Sequence, residues 1–305
     1  MKTLSLVVPA YNEERSVEPF LKAIDELGLR QSIEIIFVDD GSVDGTFEVI
    51  KRVAQTDSRV RYLSFSRNFG KEAALYAGLA ASTGDLVATM DIDLQHDPKL
   101  LPEMIAAVEN EGYDSAAACR TTRTGEPILR SAFAHCFYAI MNRWSDVALK
   151  DGSMDYRLMT RQVVETVLSL KESHRFTKGI YEWVGFRTKW IACANLPRAT
   201  GRSKWSFFSL VSYSVSGFLA FSTAPLKLVS VLGFLTTSAA FAYLFWVFGK
   251  FLIYGEAVRG WPTLVCITLI LGGLQLFVMG IIALYLANIF HETKSRPLYV
   301  IKEAK

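Results

Sequence analysis

Residues 228–249, LVSVLGFLTTSAAFAYLFWVFG, carry no charged side chain, and neither do residues 260–290, GWPTLVCITLILGGLQLFVMGIIALYLANIF. A helix needs about 20 apolar residues to cross a bilayer core. Two adjacent runs of that length, apolar on every side, are not what a water-facing helix presents. The sequence therefore predicts two transmembrane helices, about 225–253 and 261–290. The link KFLIYGEAVRG is too short to be a domain, so the pair forms a hairpin with both flanks on one side. Arg198, Arg202, Lys204 and Lys227 precede the first span, and Lys294, Arg296, Lys302 and Lys305 follow the second. The link offers only Lys250 and Arg259, so the positive-inside rule places the flanks in the cytoplasm. Four scattered cysteines, Cys119, Cys136, Cys193 and Cys266, with no C-x-x-C pair, agree with reduced thiols in that compartment. The run LSLVVP, ending in the charged YNEER, is too short for a signal peptide.

Upstream of the hairpin, strand-length apolar runs alternate with helical periodicity. Leu4–Pro9, Ile33–Asp39, Val60–Ser64, Leu86–Asp91 and Asp114–Ala118 read as strands. Val17–Leu27, Thr46–Ala54, Lys71–Ala81 and Lys99–Asn110 read as helices, the last capped by Asp97 and opened by Pro98. This alternation predicts an α/β fold with a Rossmann-like, mostly parallel sheet, covered on both faces. The expected organisation is a domain over residues 1–200, a juxtamembrane amphipathic segment over 201–222, the hairpin within 223–290 and a cytoplasmic tail over 291–305. A net charge of +3 is too small to argue for nucleic acid, so any cationic site must be local.

Ligands of such sheets bind at the carboxyl ends of the strands. There VVPAYNEE follows the first strand, FVDDGSVDGT the second and TMDIDLQHD the fourth. Asp44-Gly45-Thr46 is explained as a turn and helix cap, and Asn12 as shaping its own turn. Neither a dinucleotide-type glycine loop nor a G-x-x-x-x-G-K-[ST] loop occurs; FGKEAA has Gly-Lys without the rest of that motif. In an extended segment Asp91, Asp93 and Gln95 project to one face, and three such oxygen donors suit Mg2+ or Mn2+. His96 then points away and reads as structural.

The motifs VVPAYNE, VDDGSVDGT, FSRNFGKEAALYAGL, DIDLQHDP and GRSKWSFF together resemble the family 2 glycosyltransferases, which have the type A nucleotide-sugar fold. More narrowly they resemble the polyisoprenyl-phosphate branch, which includes the dolichyl-phosphate mannose synthases and the undecaprenyl (bactoprenol) phosphate glucosyltransferases. The spans, the VRGWPTL link and the RPLYVI tail are similar to the bactoprenol enzymes of O-antigen modification. The resemblance implies a nucleotide-sugar donor held by Pro9, Ala10, Tyr11, Glu13 and Asp40, with Asp39 replacing Asp40 if the register is off by one. It implies Asp91 at the ribose and diphosphate near the metal, and Asp93 and Gln95 as metal ligands. From GSMDYRLMT it implies Asp155 near the sugar, as base or orienting group. The expected reaction is inverting hexose transfer, with UDP-glucose as first donor and N-acetylglucosamine, mannose or aminoarabinose donors as alternatives. The acceptor is a polyisoprenyl phosphate, the setting the bacterial inner membrane and the assembly a homo-oligomer such as a tetramer.

A lipid-phosphate acceptor needs cations for its head and an apolar strip for its tail. Arg120 and Arg130, by resemblance, and Arg202 and Lys204, by position, supply the cations. Phe133, Phe137, Ile140, Trp144 and Ala148 follow helical spacing within an expected interfacial helix at about 130–149, and Trp205, Phe207, Phe208, Val211 and Phe218 add a second stripe. Core helices beneath the sheet are the alternative. A processive polysaccharide synthase is disfavoured, because Arg143-Trp144 has Ile140 where Q-x-x-R-W requires Gln. A non-catalytic nucleotide-binding membrane protein and a dinucleotide oxidoreductase are the remaining, weaker readings.

Overall fold

Strands buried on both faces read as unbroken apolar runs, and LSLVVPA at the start of the chain becomes the centre of the sheet. The computed structural model describes residues 2–120, 128–173, 175–193, 207–254 and 260–305. β1 (Thr3–Ala10), β2 (Ser32–Asp39), β3 (Val60–Phe65) and β4 (Leu86–Thr89) run parallel, connected by α1 (Val17–Asp25), α2 (Thr46–Thr56) and α3 (Lys71–Ala81). Val17, Phe20 and Ile24 form the buried stripe of α1, which is why that segment is helical rather than extended. Asp97 accepts from the Lys99 amide and caps a 3₁₀ turn at Pro98–Leu100, which leads into α4 (Leu101–Asn110) and then β5 (Ser115–Arg120). The chain continues through α5 (Ile128–Trp144), β6 (Ser153–Thr160), α6 (Arg161–Ser169), α7 (Thr177–Trp183), β7 (Thr188–Cys193) and α8 (Phe207–Phe221). Two long helices, α9 (Ala224–Tyr254) and α10 (Trp261–Thr293), precede a terminal strand, β8 (Ile301–Ala304).

The sheet order is β7-β5-β6-β4-β1-β2-β3-β8. The expected mostly parallel α/β sheet is present, with two additions. β6 lies antiparallel between β4 and β5, and β8 lies antiparallel on the β3 edge. Neither is an apolar run: MDYRLMT is interrupted by Asp155 and Arg157, and IKEA is half charged. Pairing with strands already in place makes them extended.

One apolar cluster, around Leu6, Phe20, Phe37, Met104 and Tyr156, fills one face of the sheet. Others lie beneath α3 and around Val87, Met141, Val163, Phe176 and Phe221. Phe137 and Phe218 pack against the last of these, while Ile140 is 43% and Trp144 57% exposed. The expected stripe on α5 is thus divided: Phe137 belongs to the core, and Ile140 and Trp144 face outward. The side chains of Phe207, Phe208 and Val211, and residue Trp205, lie outside the described residues.

The chain divides into two units, Met1–Phe221 with Arg296–Lys305, and Ser222–Ser295. The division differs from the expected organisation at two places. α8 belongs to the α/β unit, because Phe221 is buried in its core, and the tail belongs there too, because β8 completes the sheet. In the second unit Ala224–Lys250 and Ile267–Thr293 are long and apolar enough to cross a membrane. Their large side chains, among them Phe245, Trp246, Leu269 and Ile270, are exposed, and the Tyr285 hydroxyl donates to the Ser222 carbonyl at 2.7 Å.

α3 can lie on β1 and β2 only because Gly78 has no side chain: a Cβ there would collide with Val7 and press on Val38. We expect Gly78→Ala to lower stability by about 1–3 kcal/mol, the usual cost of overpacking. Chemical denaturation of the purified chain in detergent measures this, and an unchanged midpoint would show that the helix shifts without cost.

Candidate active site

β4, β1 and β2 are adjacent, and the chain leaves β1 towards opposite sides to reach the other two, so their carboxyl ends flank a crevice. The loops there are tied to one another. Asn12 adopts φ 52°; its side-chain oxygen accepts from the Val43 amide at 2.9 Å, and its amide donates to Ser42 Oγ at 2.9 Å. The Glu13 amide donates to Thr46 Oγ1 at 2.7 Å, and Asp44 accepts from the Thr46 amide at 3.1 Å. Asn12 and Asp44 therefore shape turns, as their sequence contexts predict.

Between these loops is a pocket of about 300 Å³. Pro9, Ala10, Tyr11, Glu13, Asp40, Asp91 and Asp93 all line it, joined by Asn68, Gly70, Lys71, Ala74 and Ile92. Asp39 is not among its walls. That side chain is 2% exposed, accepting from the Ser42 amide at 3.1 Å and the Ser64 hydroxyl at 2.8 Å. Asp39 thus has a structural role, and Asp40 is the one of the two at the pocket. Asp40, 4% exposed, accepts from the amides of Phe69 at 2.7 Å and Gly70 at 2.9 Å. Burial pushes its carboxyl above the usual range against the pull of those amides.

The acidic segment differs from its sequence reading. β4 ends at Thr89, Ile92 and Asp93 form a turn, and Leu94 takes φ 55°. Alternation along an extended strand therefore does not apply. Asp91 and Asp93 reach the pocket through the turn, while Gln95 is not among the lining residues and its amide donates to Asp93 Oδ1 at 3.2 Å. The turn forms because Asp93 can accept that amide, a local bond that competes with continuing the strand. His96 is buried and stacked on Tyr156, ring centroids 5.7 Å apart; burial lowers its pKa, and its Nδ1 has no hydrogen-bond partner among the described residues.

Lys71, which the sequence reading passed over, is at the centre. Its ammonium is 2.7 Å from Asp91 Oδ1 and 2.6 Å from Asp155 Oδ2. β6 enters antiparallel, so Asp155, near its start, arrives at the rim where β4 ends, and the Thr89 hydroxyl donates to the Asp155 carbonyl at 2.6 Å. Asp155 and Arg157 share a face of β6, and α7 answers with residues one turn apart. Lys178 is 3.8 Å from Asp155, and Glu182 accepts from Arg157 at 2.9 Å. Burial alone would raise the Asp155 pKa, but Lys178 and Lys71 outweigh it and hold the carboxyl far below its usual range. Burial alone would lower the Lys71 pKa, and Asp155 with Asp91 reverses that. Both groups therefore stay charged at any ordinary pH. The signal for Lys71 was present in FSRNFGKEAALYAGL, but its partners come from residues 20 and 84 positions away.

Among the described residues no group of three or more His, Cys, Asp or Glu side chains gathers as a metal cage. Two carboxylates on one wall, Asp91 and Asp93, match the donor chemistry of Mg2+ or Mn2+, whose remaining ligands are commonly water and substrate phosphate. Arg120 ends β5, which runs parallel to β4, so it is on the same rim, although not on the pocket wall. Its amide donates to the Gly152 carbonyl at 2.8 Å. The side chain of Arg130 and all of Arg202 and Lys204 lie outside the described residues.

The Glycosyl transferase family 2 model matches residues 5–168. CsbB, a protein of Bacillus subtilis (strain 168), is 42% identical over 99% of this chain and 92% of its own. The prophage bactoprenol glucosyl transferase homolog of Escherichia coli (strain K12) and the bactoprenol glucosyl transferase of Shigella phage SfX are each 38% identical over 99% of this chain and 99% of their own. Among solved structures, the mannosyltransferase PcManGT from Pyrobaculum calidifontis, in complex with GDP-Man and Mn2+, is 17% identical, covers 83% of this chain and 81% of its own, and has a TM-score of 0.48.

Lys71→Met leaves Asp91 and Asp155 facing each other without their cation. These side chains are about a quarter to a third exposed, so solvent screening reduces the cost from the buried-pair range to about 1–3 kcal/mol. The folded pKa of Asp155 lies below the unfolded value of about 3.9. The stabilisation is therefore present above that pH and fades as pH falls through the folded pKa. Urea titrations of wild type and Lys71→Met should differ by a constant amount at neutral pH and converge in acid. Adding Asp155→Asn should recover part of the loss; equal stability of wild type and Lys71→Met at pH 7 contradicts the clamp.

Proposed function

We propose, from the premise that the chain belongs to glycosyl transferase family 2, that it transfers glucose from UDP-glucose to undecaprenyl phosphate with inversion at the anomeric carbon. The observation that carries this reading is the full-length similarity, spans included, to proteins named bactoprenol glucosyl transferases. The acidic pocket with Lys71 in its lining gives it a chemical basis.

In this reading the donor occupies the pocket, with its base towards Asp40 and its diphosphate towards Asp91, Asp93 and Lys71. When bound to Asp91 and Asp93, Mg2+ or Mn2+ would supply positive charge that stabilises the departing diphosphate. Lys71 adds a fixed ammonium at the same wall. The acceptor is a phosphate monoester, whose second pKa of about 6 leaves it anionic at neutral pH. It needs orientation more than deprotonation. Asp155, kept ionised by Lys178 and Lys71, is a weak base and suits an orienting role. Arg120, on the same rim, serves the acceptor phosphate, with Arg130, Arg202 and Lys204 as further cations. The hairpin anchors the enzyme in the bacterial inner membrane with the α/β unit on the cytoplasmic side, a placement supported by the lysine and arginine bias and by the return of the tail to β3.

Membranes carrying the protein, incubated with labelled UDP-glucose, undecaprenyl phosphate and Mg2+, should yield labelled lipid with a β-linked glucose. Asp93→Ala should reduce the rate by about a hundredfold or more, comparable to the loss of a group that stabilises transition-state charge, and chelator should do the same. Transfer of only another sugar from a donor panel would correct the donor, and no labelled lipid from any donor would remove the reading.

A further inference from the structure

The C-terminal tail supports the wall of the pocket. β8 pairs with β3, where the Tyr62 and Lys305 backbones exchange hydrogen bonds and Glu303 accepts from the Tyr62 hydroxyl at 3.0 Å. Just before it, the Val300 carbonyl accepts from the Ser66 amide at 3.0 Å. Tyr299 stacks on Phe65, centroids 5.0 Å apart and planes within 15°. Phe65 meets Phe69 edge-on at 5.8 Å. Ser66 and Phe69 bracket the β3–α3 loop, the same loop whose Phe69 and Gly70 amides bind Asp40 and which brings Asn68, Gly70 and Lys71 to the pocket. The tail therefore grips one side of this loop while Asp40 grips the other. Gly70, at φ 97°, and the exposed Asn68 give the loop little packing of its own.

We propose that Tyr299 and β8 are positioning elements of the donor site: they hold the 66–70 loop so that Asp40, Asn68 and Lys71 face the ligand together. Tyr299 is not among the pocket-lining residues and acts through Phe65 and Phe69. The claim rests on the donor reading of the pocket only for its kinetic consequence; the ordering of the loop stands by itself.

The test uses the full chain purified in detergent, with Tyr299→Ala, Tyr299→Phe and a chain ending at Arg296. Hydrogen–deuterium exchange without ligand comes first. Exchange at the amides of Ser66, Phe69 and Gly70 should rise in Tyr299→Ala and in the shortened chain, with peptides from β1 and α4 unchanged. Tyr299→Phe keeps the stack and should match wild type. Wild-type protection of residues 66–70 in both Tyr299→Ala and the shortened chain would overturn the proposal. In the transfer assay Tyr299→Ala should raise the KM for UDP-glucose about 3–10-fold, the scale of one aromatic pair, and leave the KM for undecaprenyl phosphate unchanged. Equal rises in both constants would mean general loosening and would also overturn it. If wild type transfers no glucose, the donor reading fails, and the exchange result still decides the role of the tail.

Discussion

The Lys71 ammonium stands between two carboxylates that the chain delivers from opposite directions, Asp91 from the end of parallel β4 and Asp155 from the start of antiparallel β6. Two carboxylates that share one ammonium would repel each other without it. The cation offsets that repulsion, and with Lys178 it keeps Asp155 ionised. Much else follows from this arrangement. β6 must be reversed for Asp155 to reach the rim, and α7 must lie across it for Lys178 and Glu182 to meet Asp155 and Arg157. The N-terminus of α3 must point at the crevice for Lys71 to do so, and the missing side chain at Gly78 allows that approach.

The opposite wall is held by backbone rather than charge. Asp40 is buried and accepts two loop amides, so its position and that of the 66–70 loop define each other. Gly41, at φ 66°, lets the strand end pass against the Arg67 backbone, where a Cβ would overlap. Antiparallel β8 closes the free edge of β3 and holds the far side of the loop. An open sheet edge is a liability that proteins commonly cover; here the covering segment directly follows the last membrane-compatible helix.

The chain is adapted to two solvents. α9 and α10 have no polar face, so their large apolar side chains are compatible with hydrocarbon and incompatible with water. α5 is divided: Phe137 and Met141 enter the core while Ile140 and Trp144 remain exposed.

Periodicity and composition alone predict the two long apolar helices, the first four strands with their helices and the location of polar loops at their ends. All of these depend on local patterns of apolar residues, which burial enforces directly. Apart from Asp39, the residues quoted by resemblance from Pro9 to Asp93 line one pocket for the same reason: each ends or follows a strand whose place was already legible. Three matters were decided only in three dimensions. Asp39 and Asp40 are neighbours with the same side chain, and only the positions of Ser64 and the Phe69 amide assign one to the framework and the other to the pocket. Gln95 leaves the pocket because a local turn prevails over the extended conformation. Lys71, β6 and β8 gain their roles from partners distant in sequence, and pairing across such separations depends on sheet order and strand direction, which no local pattern encodes.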